Sequence, residues 1–164
     1  MGKSKAGRMK KFPIPAEERQ KSLDALPYLE SLPGEKLDTA FEKAHDAIFS
    51  EFDCLSCANC CKTASPIIEQ EDMDGMARAL NISRSVLITT YLTMDEDGDF
   101  VFKSTPCPML QEDNRCKIYA SRPEACRDYP HSRRKNMHAV LDLIEPNSAI
   151  CPALNQIIQI IVES

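Results

Sequence analysis

Tryptophan is absent from the chain, glycine occurs only five times in 164 residues, and aromatic side chains make up 6%. Bulky core material is therefore scarce for a domain of this length. The few aromatics also speak against a general nucleic-acid surface built on base stacking. There is no glycine-rich loop to cradle phosphate and no dinucleotide fingerprint. No Ser-His-acid order stands out around the three histidines. No stretch approaches the roughly 20 apolar residues of a membrane span. The opening MGKSKAGRMKKFPIP is basic but lacks the apolar run of about 7–15 residues that a secretory signal carries. The expectation is a soluble cytoplasmic protein with no membrane partner, of one domain.

Charge is present but unevenly placed within a net of -5. Lys3, Lys5, Arg8, Lys10 and Lys11 open the chain without an acid among them. Glu69, Glu71, Asp72 and Asp74 form an acidic run, and Arg115, Lys117, Arg122, Arg127, Arg133, Arg134 and Lys135 outnumber Glu124 and Asp128. The basic stretches invite nucleic acid, yet a pI near 5.3 makes that partner unlikely in the bulk charge.

What the chain has in excess is cysteine, eight residues of it. Cys54, Cys57, Cys60 and Cys61 form C-x2-C-x2-C-C, and Cys107, Cys116, Cys126 and Cys151 come later at wide spacing. Thiolates two residues apart converge on one centre within a turn of chain. In a reducing cytosol such clusters serve metals or redox chemistry rather than disulfides. Three of the four thiolates of a 4Fe-4S cluster are offered by Cys54, Cys57 and Cys60. Residue 64 is Ala, so a fourth comes from a distance, with Cys107-Pro108 and Cys151-Pro152 as the Cys-Pro candidates. Zinc is the other solution, with eight thiols enough for two sites or one shared polynuclear site. The lack of a second C-x2-C tilts the balance toward iron.

Patterning gives the frame. Pro13, Pro15, Pro27 and Pro33 mark residues 1–34 as a basic, proline-rich arm with at most a short helix over 16–26. Residues 35–164 form the cysteine-cluster domain. Leu37, Phe41, Ala44, Ile48 and Phe49 recur at helical spacing and predict a helix leading into the first cysteines. Helices are expected over 69–80, with Met73, Met76, Ala77 and Leu80 inward, and over 84–94, capped by Ser83 and burying Val86, Leu87, Tyr91 and Met94. A hairpin turning at Asp97-Gly98 comes next. Met109 reads as a further gap-filling core residue, Pro123 as the start of a helical turn to Cys126, residues 138–144 as a strand, and Pro152 as the start of a final helix. The fold class expected is α+β: a small, mostly helical single domain with a short hairpin, knotted together by a cysteine-ligated metal site.

The segments CLSCANCC at 54–61, CPML at 107, CKIYASRPEACRDYP at 116–130 and CP at 151 together resemble the YkgJ-type CxxCxxCC family, whose members are described as zinc- or iron-chelating domains and sometimes as iron-sulfur proteins. The resemblance implies metal ligation by Cys54, Cys57, Cys60, Cys61, Cys107, Cys116 and Cys126, with Cys151 as a trailing element. Arg122, Pro123, Arg127, Tyr129 and Pro130 stand beside them. Arg122 and Arg127 flank Cys126 and are candidates to offset thiolate charge at the cofactor. Asn59 departs from the family, which often has glycine there. Tyr119 and Tyr129 read as packing residues with a hydroxyl handle, and His131 as a polar loop residue. Three functions fit these residues. The first is an iron-sulfur protein with a redox partner, with iron-sulfur oxidoreductase activity left open. The second is a structural zinc module for protein or nucleic-acid contact, and the third a metal chaperone or store.

Overall fold

The computed structural model describes residues 12–164, so the basic positions Lys3 to Lys11 lie outside the described residues. Prolines start the first three helices. Pro15 is the N-cap of α1 (Ala16–Asp24), Pro27 sits in the first turn of α2 (Leu26–Ser31), and Pro33 is the N-cap of α3 (Gly34–Phe49). A fixed φ and a missing N–H cost nothing at a helix start, where that N–H has no intrahelical acceptor. The arm, expected to hold at most a short helix over 16–26, thus carries two helices between residues 16 and 31, and it is packed. Ala25 and Leu29 enter the core, and the buried Ser22 hydroxyl donates to Asn155 Oδ1 at 2.7 Å.

The first of two cores forms here. Leu37, Phe41 and Ala44 of α3 are buried as their spacing predicts, and they meet Leu154, Ile157, Ile158 and Ile161 of α10 (Pro152–Glu163). A fully buried side chain of this kind contributes about 1.5–3 kcal/mol. Residues 138–144, expected as a strand, form a 3-10 helix (Met137–Leu143) running into α9 (Ile144–Ser148). The buried residues Met137, Leu141 and Ile144 explain the difference. Their spacing of four and three is helical, and it outweighs the β preference of Val140 and Ile144. Asp38 of α3 anchors the turn's start, accepting the backbone N–H of Asn136 and of Met137, each at 2.8 Å.

The second core gathers Met73, Met76 and Ala77 of α6 (Gln70–Leu80), Leu87 of α7 (Arg84–Tyr91), and Ile68, Leu92, Phe102, Met109 and Ile118. Glu69 and Asp72 make a capping box at the start of α6, and Ser83 accepts the Val86 N–H at 3.2 Å to start α7. Helix α7 stops at Tyr91, short of the expected Met94, and passes into β1 (Leu92–Met94). This strand pairs antiparallel with β2 (Phe100–Phe102), Leu92 facing Phe102. That exposes two residues expected inside, Val86 at 44% and Met94 at 59%, because Leu87 alone of α7 is fully buried and Met94 ends an edge strand. In the turn, Asp95 Oδ1 accepts the N–H groups of Asp97 and Asp99, and Gly98 takes a φ of 87°. The fold class is α+β, mostly helical with a two-stranded antiparallel sheet.

Packing between elements keeps the same division. Helix α10 lies on α3, α1 and α9, while α6 lies on α7 and on the 3-10 turn Tyr119–Ser121, and α7 on β1. Pro123 then caps α8 (Glu124–Asp128), the short helix expected to reach Cys126. The chain between residues 50 and 68, which carries four cysteines, belongs to neither group.

Candidate metal centre

Asp53 opens the motif. Its carboxylate accepts the Leu55 N–H at 2.9 Å and the Ser56 hydroxyl at 2.6 Å, which starts the one-turn helix α4 (Cys54–Cys57). The Ser56 hydroxyl, then the Leu55 N–H, holds the Asp53 carboxyl below its usual range. Ala58 takes a left-handed φ of 50°, ends α4 and turns the chain into α5 (Asn59–Thr63). The left-handed residue is Ala58, and Asn59 has another task. Its buried side chain accepts the Phe12 N–H at 2.6 Å and donates to the carbonyls of Phe12 at 2.8 Å and Ile150 at 3.1 Å. This clips the cysteine loop to the residue before Cys151.

The other side of the loop is tied to the second core. The Cys107 N–H donates to the Cys61 carbonyl at 2.7 Å, and Leu110 bridges to Cys116 across the next turn. Cys107 and Cys116 pack against the second core, Cys151 against the first. Cys107 and Cys116 thus lie beside one core, Cys151 beside the other, and the 54–61 run is tied to both; all eight are free thiols, with Cys54 the most exposed and Cys57 buried.

Electrostatics show how close they lie. Burial raises Cys54, Cys57 and Cys116. It pushes Cys107 up to about 11, and Cys126 and Cys151 up to about 12, with neighbouring cysteine charges adding to each. Cys60 and Cys61 share a hydrogen bond that drives Cys60 up and Cys61 down. Two cations bear on the group. Arg122 favours the thiolates of Cys54, Cys61, Cys116 and Cys126. Buried Lys62 donates to the Cys57 carbonyl at 3.0 Å and favours the thiolates of Cys57 and Cys61. Lys62 was missed in the sequence, although its place directly after the Cys-Cys pair was a signal that a charge lies at the cluster.

The remaining candidates have partners of their own or sit beside the thiols. Arg127 donates to the Arg122 carbonyl at 2.6 Å and pairs with Asp72 at 3.9 Å. Arg122 stacks over Tyr119, 3.8 Å from the ring centre. His131 pairs with Asp128 at 2.6 Å, a carboxylate that Arg134 also engages. The Tyr129 hydroxyl is buried without a hydrogen-bond partner. Burial first, then the charges of Cys151, Cys60 and Cys57, hold its proton on.

Among the described residues, no three His, Cys, Asp or Glu side chains already stand in metal-holding geometry. The donor set nonetheless suits a thiophilic metal. Eight thiols stand beside two cations, all but Cys54 partly or fully buried; burial and neighbouring cysteines hold the protons on seven of them, Cys61 excepted, so further positive charge is needed before they ionise together. Zinc and iron supply it and bind thiolate. The orphaned Tyr129 hydroxyl points the same way, since ionised sulfur accepts a hydrogen bond that a neutral thiol takes up weakly.

Comparison with protein families decides the assignment, because the family model described as CxxCxxCC, "Putative zinc- or iron-chelating domain", matches residues 53–152. The chain belongs to the CxxCxxCC family. The CxxCxxCC match begins at Asp53, the cap of α4, and ends at Pro152, so it takes in all eight cysteines. No curated protein and no solved structure matches the chain. The CxxCxxCC description fits the two metals expected from the thiols, and metal binding is the function it supports. Among the described residues, no helix is long and apolar enough to cross a membrane.

Proposed function

We propose that this CxxCxxCC protein carries iron at its cysteines as an iron-sulfur centre, and that it works in electron transfer in a reducing, cytoplasmic compartment. One observation carries the reading: eight free thiols come from five separate parts of the chain, and backbone contacts tie Cys107 to Cys61 and the residue before Cys151 to Asn59 of the cysteine run. The iron would supply one-electron redox chemistry, taken from a reduced partner protein and passed to an oxidised one. Cys54, Cys57, Cys60, Cys61, Cys107, Cys116, Cys126 and Cys151 are the proposed ligands. Arg122 and Lys62 favour the ionised sulfurs, and Asn59 and Asp53 hold the loop in place. The half-exposed stack of Arg122 on Tyr119 leaves one side of the centre near solvent.

A structural zinc role is the second reading, favoured by the placement of the thiols between two cores that pack little on each other. Iron, acid-labile sulfide and the absorption spectrum, measured on protein purified anaerobically without an affinity metal, separate the two. Iron with stoichiometric sulfide and broad visible absorption is expected. Colourless protein holding zinc alone overturns the redox reading in favour of the structural one.

A further inference from the structure

The structure divides the cysteines. We propose that they form two four-thiolate sites placed back to back, one from Cys54, Cys57, Cys60 and Cys151, the other from Cys61, Cys107, Cys116 and Cys126. This rests on the metal-binding reading above and adds which residues share a metal.

Backbone geometry comes first. Cys60 and Cys61 are consecutive in helix α5, and successive helical residues point about 100° apart. Neighbours in such a helix do not face the same way. Their sulfurs share a hydrogen bond, so the pair forms a common wall from which Cys60 serves one set and Cys61 the other. On one side, the Asn59 amide holds the Ile150 carbonyl at 3.1 Å and brings Cys151 to the loop of Cys54 and Cys57. On the other, the Cys107 N–H on the Cys61 carbonyl at 2.7 Å and the bridge between Leu110 and Cys116 bring those two cysteines to Cys61. The division matches the two cores as well. Cys151 packs on the first, Cys107 and Cys116 on the second.

The electrostatic neighbours agree. Cys151 lies within reach of Cys54 and Cys57, and the Tyr129 hydroxyl lies within reach of Cys151, Cys60 and Cys57. Cys126 lies within reach of Cys61, Cys107 and Cys116, and Cys107 within reach of Cys61 and Cys116. The contacts that cross are those of the shared wall. Cys60 bonds Cys61 and feels Cys126, and Cys61 is felt by Cys54 and Cys57. Each set also holds one Cys-Pro, at 151 and at 107. Four thiolates suit either a single zinc-like ion or one 4Fe-4S cluster, so the division holds for both readings of the metal.

The test is an anaerobic Co(II) titration of the metal-free full chain, monitored by its thiolate charge-transfer band. The wild type should saturate at two equivalents. Replacing Cys57 and Cys151 together by Ser removes one site and should halve the cobalt bound and the band. Replacing Cys57 and Cys116 together breaks both sites and should remove tight binding altogether. The division is overturned if the Cys57/Cys151 pair loses all cobalt, as a single shared centre would, or if the Cys57/Cys116 pair keeps one full site. X-ray absorption of the Zn(II)-loaded wild type needs no variant to fold. Four sulfurs per zinc without metal scattering at thiolate-bridged distance is expected, and a zinc-zinc shell at that distance overturns the division. A wild-type chain that binds no Co(II) overturns the parent metal-binding reading and the division with it.

Discussion

Tyr129 concentrates the chemistry of the junction in one atom. Its hydroxyl is buried, has no partner, and sits among Cys151, Cys60 and Cys57. A buried donor without an acceptor costs about 1–3 kcal/mol, so the residue is a liability in the metal-free chain. Ionised sulfur around a metal would give it an acceptor, and a hydrogen bond to a charged group contributes about 1.5–3 kcal/mol. Tyr129→Phe is therefore expected to act with opposite sign in the two forms. Urea unfolding should show the metal-free variant more stable than wild type by about 1 kcal/mol, and the metal-loaded variant less stable by a similar amount. A metal-free variant weaker by about 2 kcal/mol or more would mean that the hydroxyl already has a partner, and the idea would fall. Cys60 and Cys61 make the companion point. They share one hydrogen bond but not one direction, which is how adjacent residues come to serve different neighbours.

At the scale of elements, Asp72 shows how a cap reaches beyond its own helix. Its carboxylate accepts the Glu69 N–H at 3.3 Å to complete the α6 capping box. It also accepts the Glu124 N–H at 3.1 Å at the start of α8, the helix that holds Cys126. Arg127 closes on it at 3.9 Å. Asp72→Ala removes a cap and leaves a second helix start unpaired, a loss of about 2 kcal/mol. Asp74, half a turn further on, is exposed and pairs with Arg84 at 3.5 Å, so Asp74→Ala should stay within about 0.5 kcal/mol. Chemical denaturation of the two variants side by side checks the contrast, and equal losses would remove Asp72 as the link between α6 and α8. The long periodic helices were legible because Leu37, Phe41 and Ala44, or Met73, Met76 and Ala77, each mark one buried stripe. The helices at 26–31 and 137–148 were not, and the one at 16–24 was legible only as a short helix within an arm. Proline reads as a breaker until its position at a helix start is known, and the helical spacing of Met137, Leu141 and Ile144 decides the structure only because all three are buried, which the short stripe does not announce beside β-branched neighbours. The cysteines stood out by number alone, and Lys62 is signalled only by its place after the Cys-Cys pair, but the pairing of Asn59 with Ile150 depends on the folded loop, on a contact 91 residues apart in the chain, and leaves no local pattern.

At the scale of the whole molecule, the described residues form two modest cores rather than one, with Cys151 on the first and Cys107 and Cys116 on the second. The first draws on both ends of the described chain, with α1 to α3 against α9 and α10; the second is built from the middle, residues 68 to 118. The closer packing between elements stays within one group or the other. Each core taken alone is near the size at which burial barely offsets chain entropy, where small domains commonly rely on metals. Metal bound to thiols from both sides would add its binding free energy to folding and join the cores into one cooperative unit. Removal of metal by a chelator under reducing conditions should then do more than lower the midpoint. Hydrogen exchange should show amides of α6, α7 and the hairpin losing protection first, while α3 and α10, held by Phe41, Leu154, Ile157 and Ile158, keep theirs. Thermal unfolding should pass from one transition to two. If the metal-free chain still unfolds in a single step, with both cores exchanging together, the cores are coupled through the polypeptide itself and the thiols do not serve as their clamp.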